Sequence, residues 1–137
     1  MRTLKLFAIM LLASLAGTAQ TTTVDHFTKV IVSPYIQVTF VEGDEESVTI
    51  NDLKVNEDKL HIEVNDHTLH IYLDGAKDFP KNQKDYSNGY KESHPLYENT
   101  SVVAIVTYKK LTALSLRGEE TYLCESPIDA SKFSLSI

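Results

Sequence analysis

Apolar residues recur at every second position along most of the chain, and no stretch of a dozen residues keeps a helical period, so the pattern predicts an all-β fold. Val30-Val32, Ile36-Val38-Phe40 and Val48-Ile50 alternate with polar neighbours. Turn chemistry closes each run, at Ser33-Pro34, at Glu42-Gly43-Asp44 and at Asn51-Asp52. The strongest local signal is a pair of alternating runs, Leu60 to Asn65 and Thr68 to Leu73, separated by Asp66-His67. A two-residue turn there pairs positions whose numbers sum to 133. That register sets Leu60 against Leu73, Ile62 against Ile71 and Val64 against Leu69 on one face, with His61 against Tyr72 and Glu63 against His70 on the other. Strand patterning returns at Val102 to Val106, Leu114-Leu116, Tyr122-Cys124 and Phe133-Leu135-Ile137. Between them, residues 75–99 hold no sustained periodicity and are rich in Gly, Pro, Asn, Lys and Tyr, which predicts a long insertion loop.

The strands also repeat. Val30, Val32, Val38 and Phe40 match Leu114, Leu116, Tyr122 and Cys124 at a constant offset of 84, and Ala130-x-x-Phe133-x-Leu135 echoes Leu111-x-x-Leu114-x-Leu116 at an offset of 19. An apolar unit recurring in this way suits a β-solenoid, in which each coil buries its face on the next. The same alternation is also compatible with an antiparallel β-sandwich.

The N-terminal segment reads differently from the rest. Arg2 and Lys5 precede an apolar run, Leu6 to Ala16, too short to span a bilayer, and Gly17-Thr18-Ala19 supplies small residues before a break. Residues 1–19 are therefore expected to be a secretory signal peptide and residues 20–137 a single β domain. After cleavage 118 residues remain, and the net charge moves from −6 to −8 with the loss of Arg2 and Lys5. No membrane span is expected after cleavage. An acidic chain repels phosphate backbones, which argues against a nucleic-acid partner. A lone Cys can form no intramolecular disulfide, and no Cys/His cluster calls for structural zinc.

The segments FTKVIVSPYIQVTFVEGDEESVTI, DHTLHIYL and VTYKKLTALSLRGEETYLCESPIDASKFSLSI resemble the head GIN domain of putative auto-transporter adhesins, secreted bacterial domains of unknown biochemical function. The resemblance covers about residues 24–74 and 101–137. It implies a right-handed, single-stranded β-helix and carries no catalytic motif. Members usually continue with further Leu-x-Leu-x-Gly coils, whereas this sequence stops at Ile137 within a strand pattern, which suggests either a fragment or self-association through an exposed C-terminal edge.

Candidate chemistry is sparse. His61, Glu63 and His70 share the polar face of the 60–73 hairpin and supply the donor set of a facial metal triad, although the wet face of a ribbon carries such residues without a ligand. Glu42, Asp44, Glu45 and Glu46 crowd one turn without the spacing of a calcium loop. Cys124 reads as a small buried hydrophobe. No nucleophile elbow, phosphate loop or zinc-protease motif is present, and Arg117 is the only arginine after residue 19, so neither an enzyme nor a cofactor is expected. A carbohydrate-active enzyme on a solenoid and an inert spacer are the rival readings. Recognition is best placed in the insertion, where Phe79, Tyr86, Tyr90 and Tyr97 stand among Asn, Ser and Gly and could stack on a glycan or grip a protein.

Overall fold

In the computed structural model of the chain, which describes residues 19–97 and 99–137, the alternating runs between Val30 and Leu116 form strands whose apolar positions face one common core. In chain order they are β1 (Gln20–Thr23), β2 (Lys29–Val32), β3 (Ile36–Glu42), β4 (Ser47–Leu53), β5 (Leu60–Asn65), β6 (Thr68–Leu73), β7 (Asn82–Ser87), β8 (Tyr90–Pro95), β9 (Val102–Tyr108), β10 (Ala113–Leu116), β11 (Leu123–Cys124) and β12 (Ser134–Ser136). A 3₁₀ turn, Glu57–Lys59, leads into β5. The expected leader lies, except for Ala19, outside the described residues.

The strands make two five-stranded mixed sheets, ordered β1-β4-β9-β3-β11 and β12-β10-β2-β6-β5, and β7 and β8 form a separate two-stranded ribbon. Neither large sheet closes into a barrel. The 84-residue offset is the observed parallel register: Leu114 lies beside Val30 and Leu116 beside Val32 in one sheet, and Cys124 lies beside Phe40 in the other. β2 also pairs in parallel with β6, and β3 with β9. The chain crosses from one sheet to the other between β2 and β3 and at each step from β9 to β12, whereas β3 and β4, and likewise β5 and β6, stay within one sheet. The 60–73 hairpin has the expected register from Leu60↔Leu73 to Asn65↔Thr68. Its Asp66 and His67 both take positive φ, 49° and 58°, the geometry that matches a two-residue turn to strand twist.

Three expectations change. The C-terminal echo pairs Leu135 with Leu114, an offset of 21 and not 19. A slide of two residues keeps every side chain on its face, so alternation alone cannot distinguish the two registers. The insertion is not structureless, since β7 and β8 pair from Asn82↔Pro95 to Ser87↔Tyr90 around Asn88-Gly89. Cys124 is exposed, not buried, because β11 is the outermost strand of its sheet among the described residues. The other sheet ends likewise on β12, and Leu123, Phe133, Leu135 and Ile137 are exposed along this rim.

Phe27, Phe40, Ile36, Leu69, Ile71, Leu73 and Leu111 are fully buried in the core. Glu46 is buried beside them and faces inward from the acidic turn. Its carboxylate accepts the Phe27 N–H at 2.9 Å and contacts His26 Nδ1 at 2.8 Å, and its carbonyl accepts the Val24 N–H at 3.1 Å. Removing it strands a buried donor. Glu46→Ala should cost about 1–3 kcal/mol in urea unfolding; a loss below about 0.5 kcal/mol, the size of an ordinary surface change, would contradict this role for Glu46.

Candidate functional site

The β2–β3 corner, Ser33-Pro34-Tyr35, is buried throughout, and it organises the region from which the ribbon departs. Tyr35 turns the chain with φ of 71°, in the left-handed region that side chains other than glycine seldom adopt. Its backbone is fully used. The carbonyl accepts the N–H groups of Ser101 at 2.9 Å and Val102 at 3.2 Å, and the N–H donates to Glu120 Oε1 at 2.9 Å. The ring meets Tyr97 edge-on at 5.5 Å, and the hydroxyl donates to the Lys81 carbonyl at 3.4 Å. One residue thus ties together the start of β9, the 118–120 loop, Tyr97 and the root of the ribbon.

Around that corner lies a pocket of about 300 Å³, walled by Tyr35, Tyr97, Asn82, Asn99, Glu119 and Glu120, with Pro34, Pro80 and Pro95 at its sides. Burial raises the Glu120 carboxyl above the ordinary carboxylate range, although it accepts the Tyr35 N–H and, at 3.5 Å, the Tyr122 hydroxyl. Burial, with Glu120 next in effect, pushes the Tyr122 hydroxyl up to about 12. Gly118 packs closely here, since a Cβ there would stand 2.0 Å from Glu120 Oε2 and 3.1 Å from Pro34 Cα and would displace the Glu120 carboxylate. The pocket offers two carboxylates, two amides and aromatic walls, a polar and aromatic lining suited to hydroxyl-rich ligands.

The expected metal triad does not assemble. Ser33 Oγ donates to the Lys77 carbonyl and so accepts from His70 Nε2 at 2.8 Å, which places the proton on Nε2 and removes it as a ligand. Burial, then Arg117 and Lys77, lower the His70 pKa. His61 bonds Asp74 and stacks on Tyr72 at 4.8 Å, and Glu63 accepts the Tyr72 hydroxyl at 3.0 Å. Among the described residues no three His, Cys, Asp or Glu side chains converge as a cation site.

The four insertion aromatics also separate. Tyr97 is buried, with its hydroxyl on the Asp74 carbonyl at 2.6 Å, so it forms a wall and not a free platform. Phe79 is 75% exposed and lines a different cleft with Arg117 and Ile137, where Arg117 Nη1 meets Asp78 at 2.7 Å. Tyr86 and Tyr90, 77% and 76% exposed, stand on the ribbon, but Tyr86 pairs with Lys91 and Tyr90 with Ser87, which puts the two rings on opposite faces. Sequence reasoning missed Tyr35 and Glu120, whose contact spans 85 residues of chain.

The raised Glu120 pKa has a defined sign. The folded chain holds this proton to higher pH than the unfolded chain, so stability falls as pH rises from the unfolded value through the raised one, and stays reduced above it. Glu120→Gln keeps an oxygen for the Tyr35 N–H and removes the titration. At neutral pH the variant should be at least as stable as wild type in urea unfolding, with a flatter dependence between acid and neutral pH. A less stable variant with the wild-type pH slope would contradict the assignment.

The arrangement is similar to known folds. Over 86% of this chain it superposes on 42% of an adhesin-type structure, described as putative, from Parabacteroides merdae, with TM-score 0.58 and 15% identity. A second such structure, from Bacteroides fragilis, gives TM-score 0.63 at 12% identity over 86% of this chain and 47% of that one. A structure from Parabacteroides distasonis described as a putative lipid binding protein gives TM-score 0.53 at 19% identity, over 88% of this chain and 46% of that one. The chain thus spans less than half the length of each, and at these identities the likeness is one of fold. No curated protein matches the sequence. The family model described as putative auto-transporter adhesin, head GIN domain, matches residues 26–137, and the chain belongs to that family.

Proposed function

We propose that the protein is an exported, non-enzymatic binding module of the adhesin type, held in the periplasm or at the cell surface, whose recognition element is the β7–β8 ribbon with the pocket at its root. The ribbon carries the reading. Every residue of β7 and β8 is exposed, and the ribbon pairs with neither large sheet. Tyr86 adds exposed aromatic surface. A polar hairpin of this size is only marginally stable by itself, and rigid scaffolds commonly display binding residues on such segments. Export is supported by the leader-like residues 1–19 and by the family. The parallel pairs β10·β2·β6 and β11·β3·β9 are compatible with the first turns of a right-handed β-helix, and the exposed β11–β12 rim is where further strands or another copy could add.

Replacing residues 82–95 with a short Gly-Ser link should leave the unfolding midpoint of the body nearly unchanged and abolish the binding that the full chain shows on a glycan and extracellular-protein array. Retained binding, or no binding by the full chain, would count against the proposal.

One observation favours a second reading. A cleft of about 460 Å³, lined by Ile50 and Leu53 of β4 and Leu60 and Ile62 of β5 with Gln20, Thr22 and Glu57 beside them, is within the size range of small-molecule sites. An apolar chain would fit this lining, in keeping with the neighbour described as lipid-binding. A fluorescent fatty acid should then bind the full chain and be lost on Leu53→Asp, with the glycan array unaffected; absence of fatty-acid binding would remove this reading.

A further inference from the structure

The ribbon separates its charges by face. Cross-strand partners share a side, so Asn82, Lys84, Tyr86, Lys91, Ser93 and Pro95 form one face and Gln83, Asp85, Ser87, Tyr90, Glu92 and His94 the other. The first face holds two lysines and no acid. On the second, Asp85 is directly opposite Glu92, whose carboxylate is 3.3 Å from His94 Nε2. Lys91 stands directly across from Tyr86, and Lys84 is two residues along the same strand. Among the described residues no ion pair or hydrogen bond engages either ammonium group or the Tyr86 hydroxyl. In a chain of net charge −6, this is an exposed aromatic ring flanked by unpaired cations.

We propose that this face binds an anionic polysaccharide, one bearing uronate or sulfate groups. A sugar ring stacks on Tyr86 while its carboxylate or sulfate lies between Lys84 and Lys91. The proposal rests on the reading of the ribbon as the recognition element and names its ligand class. Size favours a glycan over a protein. Two paired strands of six residues present a face of roughly 20 Å by 10 Å, about 200 Å², against the roughly 800 Å² per partner of a stable protein interface. Charge then selects among glycans: the lysine face attracts an anionic polymer, and the Asp85–Glu92 face repels it. Tyr86 therefore contributes to binding and Tyr90, at equal exposure, does not.

The test is interferometry of the full chain against immobilised polygalacturonate, dextran sulfate and neutral dextran, at low and high salt. Binding to one or both anionic polymers and not to dextran, weakened by salt, is the expected result, and the preferred polymer tells uronate from sulfate. Lys84→Ala/Lys91→Ala and Tyr86→Ala should each weaken it about tenfold or more, while Tyr90→Ala and Asp85→Asn/Glu92→Gln should not weaken it. Unfolding curves equal to wild type show that the variants fold. Equal binding to dextran, or unchanged binding by the double lysine variant, overturns the proposal. Loss of binding to neutral glycans on removing residues 82–95, with no binding to either anionic polymer, overturns the anionic ligand and leaves the ribbon as recognition element. No ribbon-dependent binding to any polymer overturns both.

Discussion

The left-handed turn at Tyr35 is the joint on which the arrangement depends. β2 lies at the centre of one sheet and β3 is flanked on both sides in the other, and the chain passes between them through three buried residues. A residue with a Cβ in this region of backbone space is strained by an amount on the order of 1–3 kcal/mol, and persists only where its surroundings over-determine it. Here they do. The Tyr35 carbonyl fixes the entry to β9, its N–H fixes Glu120, and its ring fixes Tyr97. The same contacts that set the crossing between sheets therefore shape the pocket and anchor the ribbon root.

The sheets themselves follow from alternation. Ile36, Val38 and Phe40 on β3 meet Val102, Ala104 and Val106 on β9 in parallel register, and all six are fully buried. This pattern is strong because burying each apolar side chain contributes roughly 1.5–3 kcal/mol for the larger ones, and a slip of one residue would turn the whole set outward. That is why the 60–73 hairpin and the 84-residue repeat could be read directly from sequence. The 21-residue spacing of Leu114 and Leu135 could not, since a two-residue slide leaves both strands with the same face inward.

The candidate site was legible only in part. The ribbon lacks an apolar face, so hydrophobic periodicity passes over it, although Asn88-Gly89 is a strong hairpin signal that composition alone obscured. β1, with the sequence QTTT, escaped notice for the same reason. Counting aromatics placed Tyr86 and Tyr90 together, whereas pleating sends them to opposite faces beside charges of opposite sign. The metal triad failed on hydrogen bonding, because Ser33, distant in sequence, orients His70 and takes its proton-bearing nitrogen. Contacts such as Tyr35 with Glu120 join distant segments, and no local pattern announces them.

The buried core lies wholly outside Asn82–Pro95, and every residue of β7 and β8 is exposed. Native-state hydrogen exchange measures this directly, amide by amide. The account predicts strong protection across β2, β3 and β9 and near-unstructured exchange across Asn82–Pro95, with added ligand slowing only the ribbon and its root. Protection of the ribbon equal to that of β3 in the free protein would contradict it, because the ribbon would then be part of the folded body.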